Sequence, residues 1–224
     1  MSSKLKRTES DLSEIQPSTH LSTKFKAIIF DFGGVLMRTA DPVGRRDWEQ
    51  RLSLAPGDLE RLVHGSQLWL NAQQGLISAD EYWQGTARRL RISDEDLTVL
   101  RSDYFRDDHL DLKLVELIGK LRNVGYKIGL LSNDALTLEQ KLRVDLGIYD
   151  AFDAVVISAA IGVMKPDPRP YETIVLALGV ISAECIFIDD NLANVEGARA
   201  CGMTAIHFHA DMDLASELGR LLKP

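Results

Sequence analysis

Residues 26–36 read KAIIFDFGGVL, and their reading decides the fold. Ala27, Ile28, Ile29 and Phe30 form a short apolar run, the pattern of a strand buried on both faces in a parallel sheet. Gly33 and Gly34 then supply a tight turn. Asp31 is thereby delivered at a strand's C-terminal end, the edge of an open parallel sheet where strand ends and helix N-termini converge and ligands gather. A lone Asp in such a place more often caps a turn, so its chemistry depends on what other segments bring to the same edge.

Downstream, helices and strands alternate. A helix through Leu114, Leu117, Ile118 and Leu121 precedes a strand at 126–131, and a helix around 136–146 precedes a strand at 154–157. A helix at about 169–178, with Gly179 fitting its C-cap, leads to a strand at 185–188; one at 193–201 leads to a strand at 204–208. Leu214, Leu218 and Leu221 suggest a closing helix. The fold class is therefore α/β: a Rossmann-like parallel sheet of five strands with helices on both faces. Residues 39–108 break this rhythm. They carry helical periodicity with aromatic anchors at Trp48, Trp69, Tyr82 and Trp83, and Ser78 with Glu81 has the form of a capping box. An inserted helical cap subdomain is expected there, with 25–38 and 109–224 forming the core, and the aromatic stripe reads as packing. Residues 1–24 lack apolar periodicity and read as a flexible tail.

The 224 residues are 45% hydrophobic and 26% charged, the balance of a soluble protein with a buried core. A net charge of -7 disfavours nucleic acid and anionic membrane as partners, since both need a basic face. No apolar run is long enough to span a bilayer and no secretion signal opens the chain, so a cytoplasmic protein is expected. Cys185 and Cys201 lie in separate elements and read as free thiols. Nothing in the sequence sets the oligomeric state.

Three further strand ends carry polar groups. Ser132 and Asn133 close the run IGLLSN, offering a hydroxyl and an amide that can donate to a phosphate oxygen. Lys165 stands before Pro166, where the stiffened chain can aim an ammonium at an anion. Asp189 and Asp190 end CIFIDD as adjacent carboxylates, costly unless a cation lies between them and a third ligand. Mg²⁺ suits such a set, with Asp31, Asp190 and a main-chain carbonyl near Gly33 as ligands and Asp189 binding directly or through water. Asn194 is placed to brace the acidic loop. Taken singly, each of these groups also reads as a helix cap or a solvated surface residue.

In their order and spacing these segments resemble the haloacid dehalogenase superfamily of hydrolases over nearly everything from Lys26 to Phe208. DFGGV is similar to the first motif, with Asp31 as nucleophile; LSN to the second, with Ser132; Lys165-Pro166 to the third; IDDNLANVEGA to the fourth, with the metal carboxylates. The insertion after the first motif resembles that superfamily's first class of helical cap. The resemblance implies a Mg²⁺-dependent phosphatase acting on a small phosphorylated substrate, such as a sugar phosphate, through an aspartyl phosphate on Asp31, with Gly34, Ser132, Asn133 and Lys165 holding the phosphate. One departure stands out. Most phosphatases of the superfamily carry a second Asp two residues after the nucleophile as general acid-base, and here that residue is Gly33. General acid-base catalysis is worth about 10² to 10⁴ in rate, so slow turnover is expected. A non-catalytic binding module is the alternative, with Gly33 as its support. A metal-free 2-haloacid dehalogenase is disfavoured because two further carboxylates would crowd a departing halide.

Overall fold

The computed structural model describes residues 24–223, so the expected tail lies, apart from Lys24, outside the described residues. The chain opens with β1 (Ala27–Phe30) and a short β2 (Met37–Thr39). Five helices follow: α1 (Val43–Arg51), α2 (Asp58–Val63), α3 (Gln67–Gln73), α4 (Ala79–Leu90) and α5 (Asp94–Phe105). The chain returns through β3 (Asp108–Leu110), α6 (Leu112–Asn123) and β4 (Lys127–Ser132). After α7 (Thr137–Gln140) come β5 (Ala154–Ile157), α8 (Ser158–Ile161) and α9 (Pro168–Leu178). β6 (Cys185–Asp189), α10 (Leu192–Ala200), β7 (Thr204–His207) and α11 (Leu214–Leu221) complete it.

Five strands stand in the order β5-β4-β1-β6-β7, all parallel. Alternation along β1 sends Ile28 and Phe30 into one apolar cluster and Ala27 and Ile29 into the other, so the sheet is buried on both faces. That double burial is why the strand reads as an unbroken apolar run. Gly179 caps α9 in the left-handed region, as expected. The expected helix at 136–146 is interrupted: α7 gives way to a π-helical turn over Lys141–Asp145.

The insert has a core of its own, in which Trp48, Leu59, Tyr82, Leu100 and Tyr104 are buried together. Ser78 and Glu81 cap α4 reciprocally, each accepting from the other's main-chain N–H. β2 and β3 pair antiparallel as a two-stranded stem, which three-residue segments of mixed polarity did not announce. No helix among the described residues is long and apolar enough to cross a membrane.

The register sets out the crevice. Phe30 lies opposite Leu130 on β4 and Ile188 on β6, so Asp31 and Asp189, one residue further on, and Ser132, two residues further on, come out together at the C-terminal edge. The Asp31 N–H donates to Ile188 O at 2.9 Å and ties the first of them to β6. The crevice opens where the strand order reverses about β1, the expected ligand position in such sheets.

Candidate active site

Asp31 is 7% exposed, and its two carboxylate oxygens differ. Oδ1 accepts from the Phe32 N–H at 2.7 Å and faces Lys165 Nζ at 2.9 Å. Oδ2 has no hydrogen-bond partner among the described residues, and Asp31 lines a cavity of about 1110 Å³ between sheet edge and insert. One oxygen is anchored and the other is left for chemistry.

Lys165 is the hub of the buried charges. Its ammonium reaches Asp189 Oδ2 at 2.7 Å and Leu131 O at 2.7 Å as well as Asp31, with no exposed side-chain surface. Burial alone would push this ammonium toward neutrality; Asp31 and Asp189 more than reverse that and hold it charged. Asp189 is saturated: Oδ1 accepts the Asn191 N–H at 2.8 Å, and Asn194 Nδ2 reaches both oxygens at 3.1 Å. Asn194 thus touches the acidic loop where the sequence placed it. Tyr171 donates to Asn194 O at 2.8 Å, fixing that brace from α9.

Asp190 completes the set. One oxygen from each of Asp31, Asp189 and Asp190 lies within 4.8 Å of the others, a spacing that one cation can bridge. Three carboxylates against one ammonium leave two negative charges uncompensated when all are ionised. The strain shows in the acids themselves. Burial, opposed by Lys165 and reinforced by Asp189, pushes the Asp31 carboxyl up to about 7, and burial together with Asp189 raises Asp190. A divalent cation with oxygen preference fits this donor set. With its oxygens already engaged, Asp189 is better disposed to orient Lys165 and Asn191 than to bind a metal directly.

Three expected phosphate donors turn out differently. The Gly34 N–H donates to Met37 O at 2.9 Å and is not free for an anion. Glycine is needed there for another reason: φ is +78°, and a Cβ would fall 2.1 Å from Asp190 Oδ2. The Asn133 side chain clamps the main chain of Lys165, accepting its N–H at 2.8 Å and donating to its carbonyl at 2.9 Å. Its amide therefore positions the lysine loop rather than greeting phosphate directly. The Lys165 ammonium is held between Asp31 and Asp189 and is itself fully buried. Ser132 is 3% exposed and lines the cavity, and its hydroxyl has no hydrogen bond among the described residues. Arg38 pairs with Asp111 across the stem, and His109 is exposed.

Sequence reasoning passed over the insert's polar wall and one core residue. Arg45 reaches Glu60 at 2.6 Å and Asp108 at 3.0 Å; Glu60 also accepts from the Tyr104 hydroxyl at 2.6 Å and contacts His64 Nδ1 at 3.2 Å. Burial works against the Glu60 carboxylate, yet the bonds from His64 and Tyr104 hold its pKa down to about 2. Glu60 and His64 stand four apart around α2, a spacing that could have flagged them. Trp69, Tyr82 and Trp83 both pack the insert and line the cavity. Asp134, directly after Asn133, also lines it, and no spacing rule pointed there. The insert meets the core at this loop: Gln73 Nε2 donates to Asn133 O at 2.7 Å, and Ser158 Oγ donates to Gln73 O at 2.6 Å.

A phosphatase of Mycobacterium tuberculosis is 33% identical over 80% of this chain and 85% of its own length. A sesquiterpene phosphatase of Aspergillus oryzae is 28% identical over 90% of this chain and 99% of its own. Among solved structures, a haloacid dehalogenase family enzyme of Bacteroides thetaiotaomicron, in complex with magnesium and inorganic phosphate, superposes with a TM-score of 0.71. It is 20% identical, over 86% of this chain and 98% of its own. The model of the haloacid dehalogenase-like hydrolases matches residues 25–202. The chain belongs to the haloacid dehalogenase-like hydrolase family.

Proposed function

We propose that the protein is a Mg²⁺-dependent phosphatase that hydrolyses a small phosphorylated metabolite through an aspartyl phosphate on Asp31. The observation that carries this reading is the asymmetry of Asp31, a residue of the cavity wall: Oδ1 is fixed by Phe32 and Lys165 while Oδ2 has no partner among the described residues. A nucleophile so held approaches phosphorus in line at little entropic cost. Asp31, Asp190 and the Gly33 carbonyl would hold Mg²⁺, whose chemistry is to neutralise the approaching phosphate. Lys165 balances Asp31 and Asp189 from behind, and Ser132 donates its hydroxyl to the transferring group. The insert closes the cavity and excludes water. Its wall mixes Trp69, Trp83 and Phe105 with Arg45, Glu60 and His64, which suits a sugar phosphate: ring faces stack on aromatics and hydroxyls meet charged groups. With Gly33 in the acid-base position, turnover is expected to be slow for leaving groups that rely on a proton from that residue.

The test is phosphate release from sugar phosphates, phosphoglycolate, an isoprenoid phosphate and p-nitrophenyl phosphate, with Mg²⁺ and with chelator. The isoprenoid phosphate enters because one relative is a sesquiterpene phosphatase. Metal-dependent turnover that Asp31→Asn abolishes supports the proposal. A folded, Mg²⁺-binding protein that releases no phosphate turns the reading toward a binding module, which the glycine at position 33 favours.

A further inference from the structure

The leaving oxygen of an in-line reaction points away from Asp31 into the cavity, whose wall includes the junction of sheet edge and insert. Asp134 stands at that junction. Its main-chain N–H donates to Ser158 Oγ at 3.0 Å, the same hydroxyl that holds Gln73 of the insert, so the residue is fixed by the contact that closes the cavity. Asp134 Oδ1 accepts the Ala135 N–H at 2.7 Å. Oδ2 has no hydrogen-bond partner among the described residues, and the residue lines the cavity with Asp31 and Ser132. Asp134 therefore shows the same division as Asp31, one oxygen anchored and one without a partner among the described residues, in the wall of the same cavity.

We propose that Asp134 supplies the proton that Gly33 cannot. This rests on the phosphatase reading above. As Asp31 Oδ2 bonds to phosphorus and the ester P–O bond breaks, the Asp134 carboxyl gives its proton to the departing oxygen. In the second step the Asp134 carboxylate takes a proton from water as the water oxygen bonds to phosphorus and the Asp31–phosphorus bond breaks. Asp31 leaves as a carboxylate and Asp134 is protonated again.

The surroundings suit an acid working near neutrality. Burial pushes the Asp134 carboxyl up to about 6, while the Ala135 N–H, His64 and Lys141 pull against it. His64 reaches it from the end of α2, Lys141 from the π-helical turn, and the buried, unpartnered Tyr82 hydroxyl from α4, with Glu60 behind His64 and Tyr82.

The experiment compares p-nitrophenyl phosphate with phenyl phosphate, two substrates of one shape whose leaving groups differ in their need for a proton. In the wild type the two kcat/KM values are expected to lie close together. In Asp134→Asn, which keeps an oxygen for the Ala135 N–H, their ratio is expected to widen about 10²-fold against phenyl phosphate. The burst of p-nitrophenolate should survive while steady-state turnover falls. The alkaline limb of the phenyl phosphate pH profile should vanish in Asp134→Asn and persist in His64→Gln, the control for the neighbouring imidazole. Infrared difference spectra between wild type and Asp134→Asn should show a protonated carboxyl at mildly acid pH whether or not a substrate is turned over. Equal slowing of both aryl phosphates, no slowing of either, or absence of that band overturns the role of Asp134. A wild type inactive on every phosphate monoester overturns the phosphatase reading itself.

Discussion

In the crevice Lys165 and Asp189 have no exposed side-chain surface and Asp31 has 11%; in the insert Arg45 keeps 15% and Glu60 45%. Both places join acids to bases at hydrogen-bond distance, but only one of them excludes water from the pairing. In the crevice the charges have no solvent to turn to, so each depends on the others. Around Glu60 water screens the same attractions and softens any loss. The crevice is therefore a unit that fails as a whole, while the insert's polar wall can be altered one group at a time. A site of that first kind suits a reaction that needs fixed charges; one of the second kind suits recognition of a variable leaving group.

The sharpest break of this contrast is Lys165→Met. Asp31 and Asp189 would then face each other without the ammonium, and a stability loss of about 3 to 5 kcal/mol is expected by urea denaturation, with turnover lost. A loss below about 1 kcal/mol would mean that the carboxylates neutralise themselves by taking up protons, and the picture of interdependent charges would fail. Next in size is Gly33→Asp. A Cβ at Gly33 meets nothing within 4 Å, so the substitution starts in open space. With Asp134 supplying the proton, phenyl phosphate turnover is expected to change by less than about tenfold in the single variant and to be restored about 10²-fold when Gly33→Asp is added to Asp134→Asn. A gain of about 10²-fold in the single variant would show that no proton donor stands in the crevice and would remove Asp134 from that role. The smallest effect belongs to the insert. Glu60→Gln should cost about 1 kcal/mol, because partial exposure discounts its bonds to Arg45 and Tyr104.

The pH dependence of stability sharpens the same point. The folded-state pKa of Glu60 is lowered from its ordinary 4.5 to about 2. A lowered carboxylate pKa stabilises the fold above the unfolded value, so this contribution is complete above about 4.5 and is lost as pH falls toward 2. Thermal midpoints of wild type and Glu60→Gln should converge across that window. Curves that stay parallel would remove Glu60 from the account.

The contrast also governs what could be read in advance. Crevice residues sit at strand ends, and a strand end is marked by the close of an apolar run: Asp31, Ser132 and Asp189 were legible because Phe30, Leu131 and Ile188 are apolar. Lys165 was legible through Pro166. What these residues bond to was not legible. Asn133 holding the Lys165 main chain and the Gly34 N–H meeting Met37 are matters of local turn geometry that residue type alone leaves open. The insert hid more. Helical spacing gave its packing residues, yet which polar groups meet across α1, α2 and α5 depends on how the helices cross, as the meeting of Arg45, Glu60 and Tyr104 shows. Asp134 escaped for a simpler reason: an acid after a polar strand end reads as loop.

The two neighbouring glycines of the first turn carry unequal histories within them. At position 34 a left-handed backbone and the closeness of Asp190 leave no other residue room, so any descendant that keeps the acidic site keeps this glycine. Position 33 has open space before it. A single base change converts a glycine codon to an aspartate codon, and the reverse. A lineage carrying this crevice can thus gain or drop a carboxyl there in one mutational step, leaving Asp31, Asp189 and Asp190 as they were.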